Sequence, residues 1–464
     1  MAHPLFLSIM LMIMGWVMPL GVCAQHALDK PNFVVVFTDD QSYRAIGYNN
    51  PKVLTPHLDA LAKGGLIFDL AFTASPVCVA SRASILTGLS PQTNGTVALD
   101  SESFVQNIVE KGRYPTLAQL LSDAGYATYF SGKSHLGDPK DYGFQFGAES
   151  SGYDDKDAFD QAHQLVGELR AESPFLLWLA PRQPHLPLHP SQQWLDLYNE
   201  REIQLDKNFL RRPMSGSLFN QGLPGERLYR DADYVNNYKS MPSGPPRSKK
   251  QMKTFIHAYY ATISHLDTQI GDLISHLEQK GLMENTIIIF LSDNGYFLGN
   301  HGLGNKLTMH EESVRVPLFI YGKSPLMSKA RTEALVSSLD IMPTILDLAG
   351  ANVPDHLQGI SLKSLLFEDI SDSKRDYVAS ESVGVGGSLG TGHRMVRTKD
   401  WKYILSDENE EAFFDMRDDP FELRNLIDKK AYLPQLKLLR EYYNQWREDV
   451  EDEKALPPSY MGLH

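Results

Sequence analysis

Five short apolar runs, each followed at once by polar residues able to carry chemistry, constrain the fold of this 464-residue chain more than any other feature. The runs are Phe33 to Phe37, Tyr126 to Phe130, Phe175 to Ala180, Ile287 to Leu291 and Pro317 to Tyr321. A continuous apolar run of this length is what a central parallel strand, covered on both faces, presents. Amphipathic helical stretches lie between the runs, among them Thr116 to Ala124, Phe255 to Gln279 and Leu339 to Ala349. Strands and helices in alternation predict an α/β fold, a central, mostly parallel sheet flanked by helices. Beyond about residue 365 the texture changes. Arg394 to Val396, Lys402 to Leu405 and Ala412 to Asp415 read as short antiparallel strands, and Leu433 to Asp449 as a charged helix, so a smaller C-terminal antiparallel-sheet subdomain is expected over 366–464.

With 42% hydrophobic and 22% charged residues the chain can bury a large core, which excludes disorder and coiled coil. A net charge of −13 argues against nucleic acid as a partner, since phosphate neutralisation needs basic surface. Leu5 to Leu20 is apolar and uncharged and runs into Gly21-Val22-Cys23-Ala24, which reads as a signal peptide over 1–24 and a periplasmic or secreted protein. The run is short and poorly flanked for a membrane span and no later one approaches that length, so no stable span is expected. Lipidation of Cys23 is the alternative, against which Val22 stands where a small residue belongs. Cleavage leaves residues 25–365 as the main domain and Cys78 as the lone cysteine, unable to form an intramolecular disulfide. Within that domain, residues 201–250 hold ten Lys and Arg against five Asp and Glu, a local +5. They read as a surface insertion, either solvated or facing an anionic substrate.

In open α/β sheets, sites gather beyond the carboxyl ends of the strands. The first four runs lead into Thr38-Asp39-Asp40-Gln41, Ser131-Gly132-Lys133-Ser134-His135, Pro181-Arg182-Gln183-Pro184-His185 and Ser292-Asp293-Asn294-Gly295. Asp39, Asp40, Asp293 and Asn294 offer only hard oxygen ligands, a set that suits Ca²⁺ or Mg²⁺ rather than zinc. Either dipeptide alone reads as a turn or helix cap. At matching strand ends they favour a metal site.

The segment Ser75-Pro76-Val77-Cys78-Val79-Ala80-Ser81-Arg82-Ala83-Ser84-Ile85-Leu86-Thr87-Gly88 resembles the sulfatase signature C-x-P-S-R-x-x-x-L-T-G. Cys78, Ser81, Arg82, Leu86, Thr87 and Gly88 match, and Ala80 replaces the commoner proline. Further blocks resemble the family in its order: Asp39-Asp40-Gln41, Thr55-Pro56-His57-Leu58-Asp59, Gly132 to Gly137, Pro184-His185, Asp293-Asn294-Gly295, Lys306, Glu311 to Pro317, and Asp419-Pro420-Phe421-Glu422-Leu423. The resemblance is to the formylglycine-dependent type I sulfatases of the alkaline phosphatase superfamily, polysaccharide- and iduronate-sulfatase-like members among them. It implies an alkaline-phosphatase-like fold and a sulfuric ester hydrolase acting on a sulfated oligo- or polysaccharide.

It also implies roles. Cys78 becomes formylglycine, the nucleophile, through a formylglycine-generating enzyme or anaerobic maturase, and joins Asp39, Asp40, Asp293 and Asn294 around Ca²⁺, preferred over Mg²⁺. Arg82 orients the formylglycine hydrate, while Lys133 and Lys306 grip sulfate oxygens. His185 is expected as general acid, since histidine titrates near working pH, and His135 as the base that lets the covalent sulfate be expelled. Two alternatives stand beside this reading: a phosphonate monoester or phosphodiester hydrolase, and, with Cys78 unmodified, a binder of sulfated glycans. Among the other histidines, His57 reads as structural, His257 and His265 as helix packing, and His301 equally as substrate contact or loop; Arg182 and His189 flank His185 and could read the leaving group.

Overall fold

The computed structural model describes residue 1 and residues 30–457, apart from 98, 100, 151, 153, 171–172, 189, 220–247, 325–326, 328–329, 369–374 and 383–391. Residues 2–24 of the expected signal peptide, Cys23 among them, therefore lie outside the described residues, as does most of the basic insertion. Among the described residues no helix is long and apolar enough to cross a membrane.

The first apolar run forms β1 (Asn32–Thr38), buried along its whole length. Down the chain follow β2 (Leu66–Phe72), β3 (Ala127–Gly132), β4 (Phe146–Glu149), β5 (Phe175–Ala180), β6 (Thr286–Ser292), the short ribbon of β7 (Phe297–Leu298) and β8 (Gly304–Asn305), then β9 (Leu318–Gly322) and β10 (Ala330–Ser337). Eight of them make one sheet in the order β10-β2-β9-β6-β1-β5-β3-β4. Odd and even residues of the buried strands face opposite ways, as the two-residue side-chain period requires. Phe33, Val35, Phe37, Ile287, Ile289 and Leu291 pack with Ile85, Leu86 and Leu121 on one side. Val34, Val36, Ile288 and Phe290 pack with Leu266, Ile270 and Leu273 of the Lys249–Gln279 helix on the other. The result is the α/β architecture the alternation predicted.

One strand runs against expectation. The Pro317 to Tyr321 run forms β9, which is antiparallel to both neighbours, β6 and β2. A parallel return needs a crossover to the far end of the sheet. Here the chain stays at the carboxyl end of β6, where residues 293–317 build polar structure, so it re-enters the sheet in the opposite sense. Six strands were also not expected: the two-residue β7 and β8 are too short to leave a pattern, and four others are disguised. Asp69 interrupts the apolar run of β2, β4 is largely exposed, β10 opens on the exposed Ala330 and Arg331, and β11 (Val378–Ser382) is short and half polar.

The second sheet joins β11 to β12 (His393–Arg397), β13 (Trp401–Ser406) and β14 (Glu411–Asp415), all antiparallel. The Leu433–Asp449 helix has the bounds its sequence predicted. Its Leu436, Leu439, Tyr443 and Trp446 cover Val396, Tyr403, Leu405 and Phe413. The alternate residues, Met395, Ile404, Ala412 and Phe414, pack on Leu70, Phe72, Met309 and Val314 of the larger unit. At about 1.5–3 kcal/mol per fully buried large apolar side chain, the second face makes this sheet part of the body rather than an appendage.

Candidate active site

Strand register creates the site. Thr38 lies opposite Ser292, Val36 opposite Leu179, and Gly132 opposite Ala180, so β6, β1, β5 and β3 stop on one line. The residues immediately beyond are Asp293, Asp39, the Arg182 to His185 turn and Lys133. Cys78 reaches them from β2: residues 73–77 cross the rim, and Cys78 opens the Cys78–Thr87 helix, all of whose residues are buried. The Thr73 and Ser81 hydroxyls both donate to the Asp293 carbonyl, at 2.8 and 2.6 Å, which ties this helix to the end of β6.

At the centre, Cys78 is 2% exposed. Lys306 Nζ lies 2.6 Å from its Sγ and pairs with Asp40 Oδ1, while Asp39 Oδ1 is 3.6 Å from the same sulfur and Asp39 Oδ2 pairs with Lys133. The Arg82 guanidinium donates to Asp293 Oδ2 through Nε (3.1 Å) and Nη2 (2.9 Å), and to the Lys133 carbonyl through Nη1 (2.8 Å). Asn294 donates its amide to Asp40 Oδ1 at 2.7 Å, and the Asp40 N–H donates to Asp293 Oδ1 at 3.2 Å. His185 donates from Nδ1 to the Leu186 carbonyl, and its Nε2 stands 3.7 Å from Asp40 Oδ2.

Burial and charge compete at every group. Burial opposes ionisation of Asp39, but Lys133, His185, Arg82 and Lys306 together hold its carboxyl well below the usual range. Burial pushes Asp293 up, with Asp39 adding to it and Arg82 opposing. The Cys78 thiol is pushed up to about 12, by burial first and against the pull of Lys306, so the encoded residue is not a thiolate at neutral pH. Burial also lowers His185, and burial together with Lys133 and Arg82 takes His135 down to about 3. His135 stands at the rim, with its buried Nδ1 lacking a hydrogen-bond partner. Asp40 (φ 61°) and His135 (φ 61°) hold left-handed backbone conformations, which for residues other than glycine concentrate at functional sites.

The residues present fit a hard cation. Ligand atoms of Asp39, Asp40, Cys78 and His185 lie within 4.8 Å of one another. Asn294 Oδ1 is buried with no hydrogen-bond partner, an acceptor left for a cation.

Three supports escaped the sequence. Asp155, buried at the start of the Lys156–Glu168 helix, accepts the Arg182 and Gln183 N–H groups, both at 2.7 Å, and so holds the turn that carries His185. Tyr259 donates to the Asp40 carbonyl at 2.5 Å and accepts from the Ser42 N–H at 3.0 Å, fixing the turn after β1. Thr73 is the third. Asp155 sits where a helix cap would, but nothing local links it to residue 182. Of the remaining histidines, His57 packs beneath Gly271, His257 Nε2 lies 2.9 Å from the Leu195 carbonyl, and His265 packs against Trp194 with the rings tilted by 36°. His301 is 2% exposed inside a separate polar cluster, which removes it as an open substrate contact; His189 lies outside the described residues.

The sequence model of the family described as Sulfatase matches residues 31–351, more than half of the chain. The chain belongs to the sulfatase family. A second family model, described as N-sulphoglucosamine sulphohydrolase, C-terminal, matches residues 299–449 of this sulfatase. It is 29% identical to an arylsulfatase of Clostridium perfringens over 475 residues, covering 89% of this chain and 93% of that one. It is 28% identical to an N-acetylglucosamine-6-O-sulfatase of Bacteroides thetaiotaomicron, covering 92% and 88%. A solved structure of a protein in complex with its substrate D-glucosamine-2-N,6-O-disulfate superposes with a TM-score of 0.78 at 25% identity, over 92% of this chain and 99% of that one. The fold is the alkaline-phosphatase-like one that the resemblance implied.

Proposed function

We propose that this sulfatase removes sulfate from a sulfated carbohydrate, with a formylglycine made from Cys78 as its nucleophile and Ca²⁺, rather than Mg²⁺, held by Asp39, Asp40, Asp293, Asn294 and residue 78. The observation that carries the reading is the convergence of Lys306 and Lys133 on Cys78 and its two neighbouring aspartates: fixed positive charge meets the one residue that can become the nucleophile. When present, the aldehyde hydrate would supply a hydroxyl nucleophile and the cation would lower that hydroxyl's pKa.

The chain's own groups then divide the work. Lys133 and Lys306 neutralise the non-bridging sulfate oxygens, whose charge would otherwise repel the nucleophile. Arg82 keeps Asp293 in place. His185, fixed at Nδ1 by the Leu186 carbonyl, delivers a proton from Nε2 to the departing alkoxide; the lowered pKa makes it a stronger acid once protonated. His135, with its unpartnered Nδ1, takes the proton that frees the enzyme from its sulfate ester. Catalysis is assigned to residues 25–365, with 366–464 as the smaller subdomain and 1–24 as a signal peptide for a periplasmic or secreted enzyme. The basic residues 201–250 suit an anionic chain as substrate.

The two similar proteins with glucosamine sulfates in their descriptions make amino-sugar sulfates the first substrates to test. Protein coexpressed with a maturase, with formylglycine at position 78 verified by mass spectrometry, is to be screened against N-acetylglucosamine-6-O-sulfate, glucosamine-2-N,6-O-disulfate, 2-O-sulfated disaccharides, an aryl sulfate and an aryl phosphodiester. Sulfate release from a carbohydrate, faster than from the aryl sulfate, is expected. No release from any sulfated sugar, or preferred turnover of the phosphodiester, overturns the reading.

A further inference from the structure

A second buried cluster lies between the loop that carries Lys306 and the C-terminal subdomain. Its hydrogen bonds can be oriented one after another. The Asn300 amide nitrogen donates to Asp206 Oδ2 at 2.9 Å, and its Oδ1 accepts from the Leu298 N–H at 3.0 Å, which fixes which way this amide points. The same nitrogen donates to Asn208 Oδ1 at 2.8 Å. The Asn208 nitrogen therefore faces Glu312 Oε1 (2.8 Å), His301 Nε2 (3.1 Å) and the Phe421 carbonyl (3.3 Å), all as acceptors. A donor facing Nε2 makes that atom an unprotonated lone pair, so its proton is on the other ring nitrogen.

This lone pair lies 3.8 Å from Glu312 Oε2, which is buried and has no hydrogen-bond partner. Glu312 itself is 2% exposed. Ligand atoms of His301, Glu312 and Glu422 come within 4.8 Å of one another. The nearest cation, Lys402, is committed elsewhere: its ammonium lies 2.8 Å from Glu422 Oε1 and 3.1 Å from Glu311 Oε1. Glu422 Oε2 accepts the Glu311 N–H at 2.8 Å. Carboxylate oxygens on two sides and the imidazole lone pair, which the Asn208 amide occupies and which an ion would take over, thus converge, and no donor reaches Glu312 Oε2.

We propose that His301, Glu312 and Glu422 bind a divalent cation, separate from the one assigned to Asp39 and Asp40. One imidazole nitrogen with two carboxylates suits Zn²⁺ or Mn²⁺ better than Ca²⁺. His301 and Glu312 bracket the segment that presents Lys306, Asn208 belongs to the insertion, and Glu422 follows β14. The ion therefore fastens the Lys306 loop to the C-terminal subdomain.

The test uses the full mature chain with Asp39→Asn and Asp40→Asn, dialysed against Zn²⁺ or Mn²⁺ and analysed for bound metal by mass spectrometry. One ion per chain and a raised melting temperature are expected, with affinity weakened at least about tenfold by Glu312→Gln or His301→Gln. Electron spin echo spectroscopy of Mn²⁺ added to Ca²⁺-saturated wild-type protein covers the case in which the double variant does not fold. A nitrogen coupling that His301→Gln removes is expected. No uptake beyond the first site, or uptake and nitrogen coupling unchanged by both substitutions, overturns the proposal and leaves a proton on Glu312 as the occupant.

Discussion

Arg82 and Asp293, 211 residues apart in sequence, share a buried fork: Nε and Nη2 of the one donate to Oδ2 of the other at 3.1 and 2.9 Å. Lysine cannot reproduce this while also serving the Lys133 carbonyl. Removing one member of a buried pair strands the other's charge, at a cost of about 3–5 kcal/mol. Arg82→Ala should lower the urea midpoint accordingly, and Arg82→Lys should recover only part of the loss. A stability within about 1 kcal/mol of wild type for Arg82→Ala would show that Asp293 is held by other means.

Cys78→Ala removes the side chain proposed to mature into the nucleophile. Steady-state sulfate release from the matured preparation should fall by at least about 10⁴-fold, while the melting temperature changes little because the site is polar and the change small. Residual turnover near the wild-type level would place the nucleophile elsewhere.

Metal removal tests the oxygen ligands. Chelator-treated enzyme, verified as metal-free, should lose at least about 100-fold in turnover, the equivalent of a few kcal/mol of charge stabilisation. Ca²⁺ should restore activity better than Mg²⁺, and Asp40→Asn should respond to neither. Full activity in the metal-free protein is the outcome that refutes the assignment.

Acid should loosen the contact between the two sheets. Burial opposes ionisation of Glu311, but Lys402, then Arg397 and Arg315, hold its carboxyl below the usual range. A depressed carboxyl contributes stability that is present above its unfolded pKa of about 4.3 and is lost as pH falls below it. Unfolding free energy should therefore drop from about pH 5 towards about pH 2 in the wild type, and less steeply in Glu311→Gln. Equal slopes in the two proteins would mean that Glu311 is not the linked group.

Much of this was legible along the chain. Continuous apolar runs over Phe33–Phe37, Phe175–Ala180 and Ile287–Leu291 read as buried strands because their short length and polar flanks are local signals. The Leu433–Asp449 helix carries its apolar stripe, and the Cys78 to Gly88 segment its family resemblance, within consecutive residues. What the sequence could not disclose is set by contacts between distant segments. β2 delivers Cys78 to the rim, yet Asp69 disguises its run. β9 is antiparallel because the residues before it remain at the rim. Lys306, 228 positions from Cys78, meets its sulfur only because β6, β1 and β2 share one sheet. Asp155 and Tyr259 hold the turns of the site by hydrogen bonds across 27 and 219 positions. Hydrophobic periodicity determines which segments are buried, whereas register and packing decide which polar groups then meet.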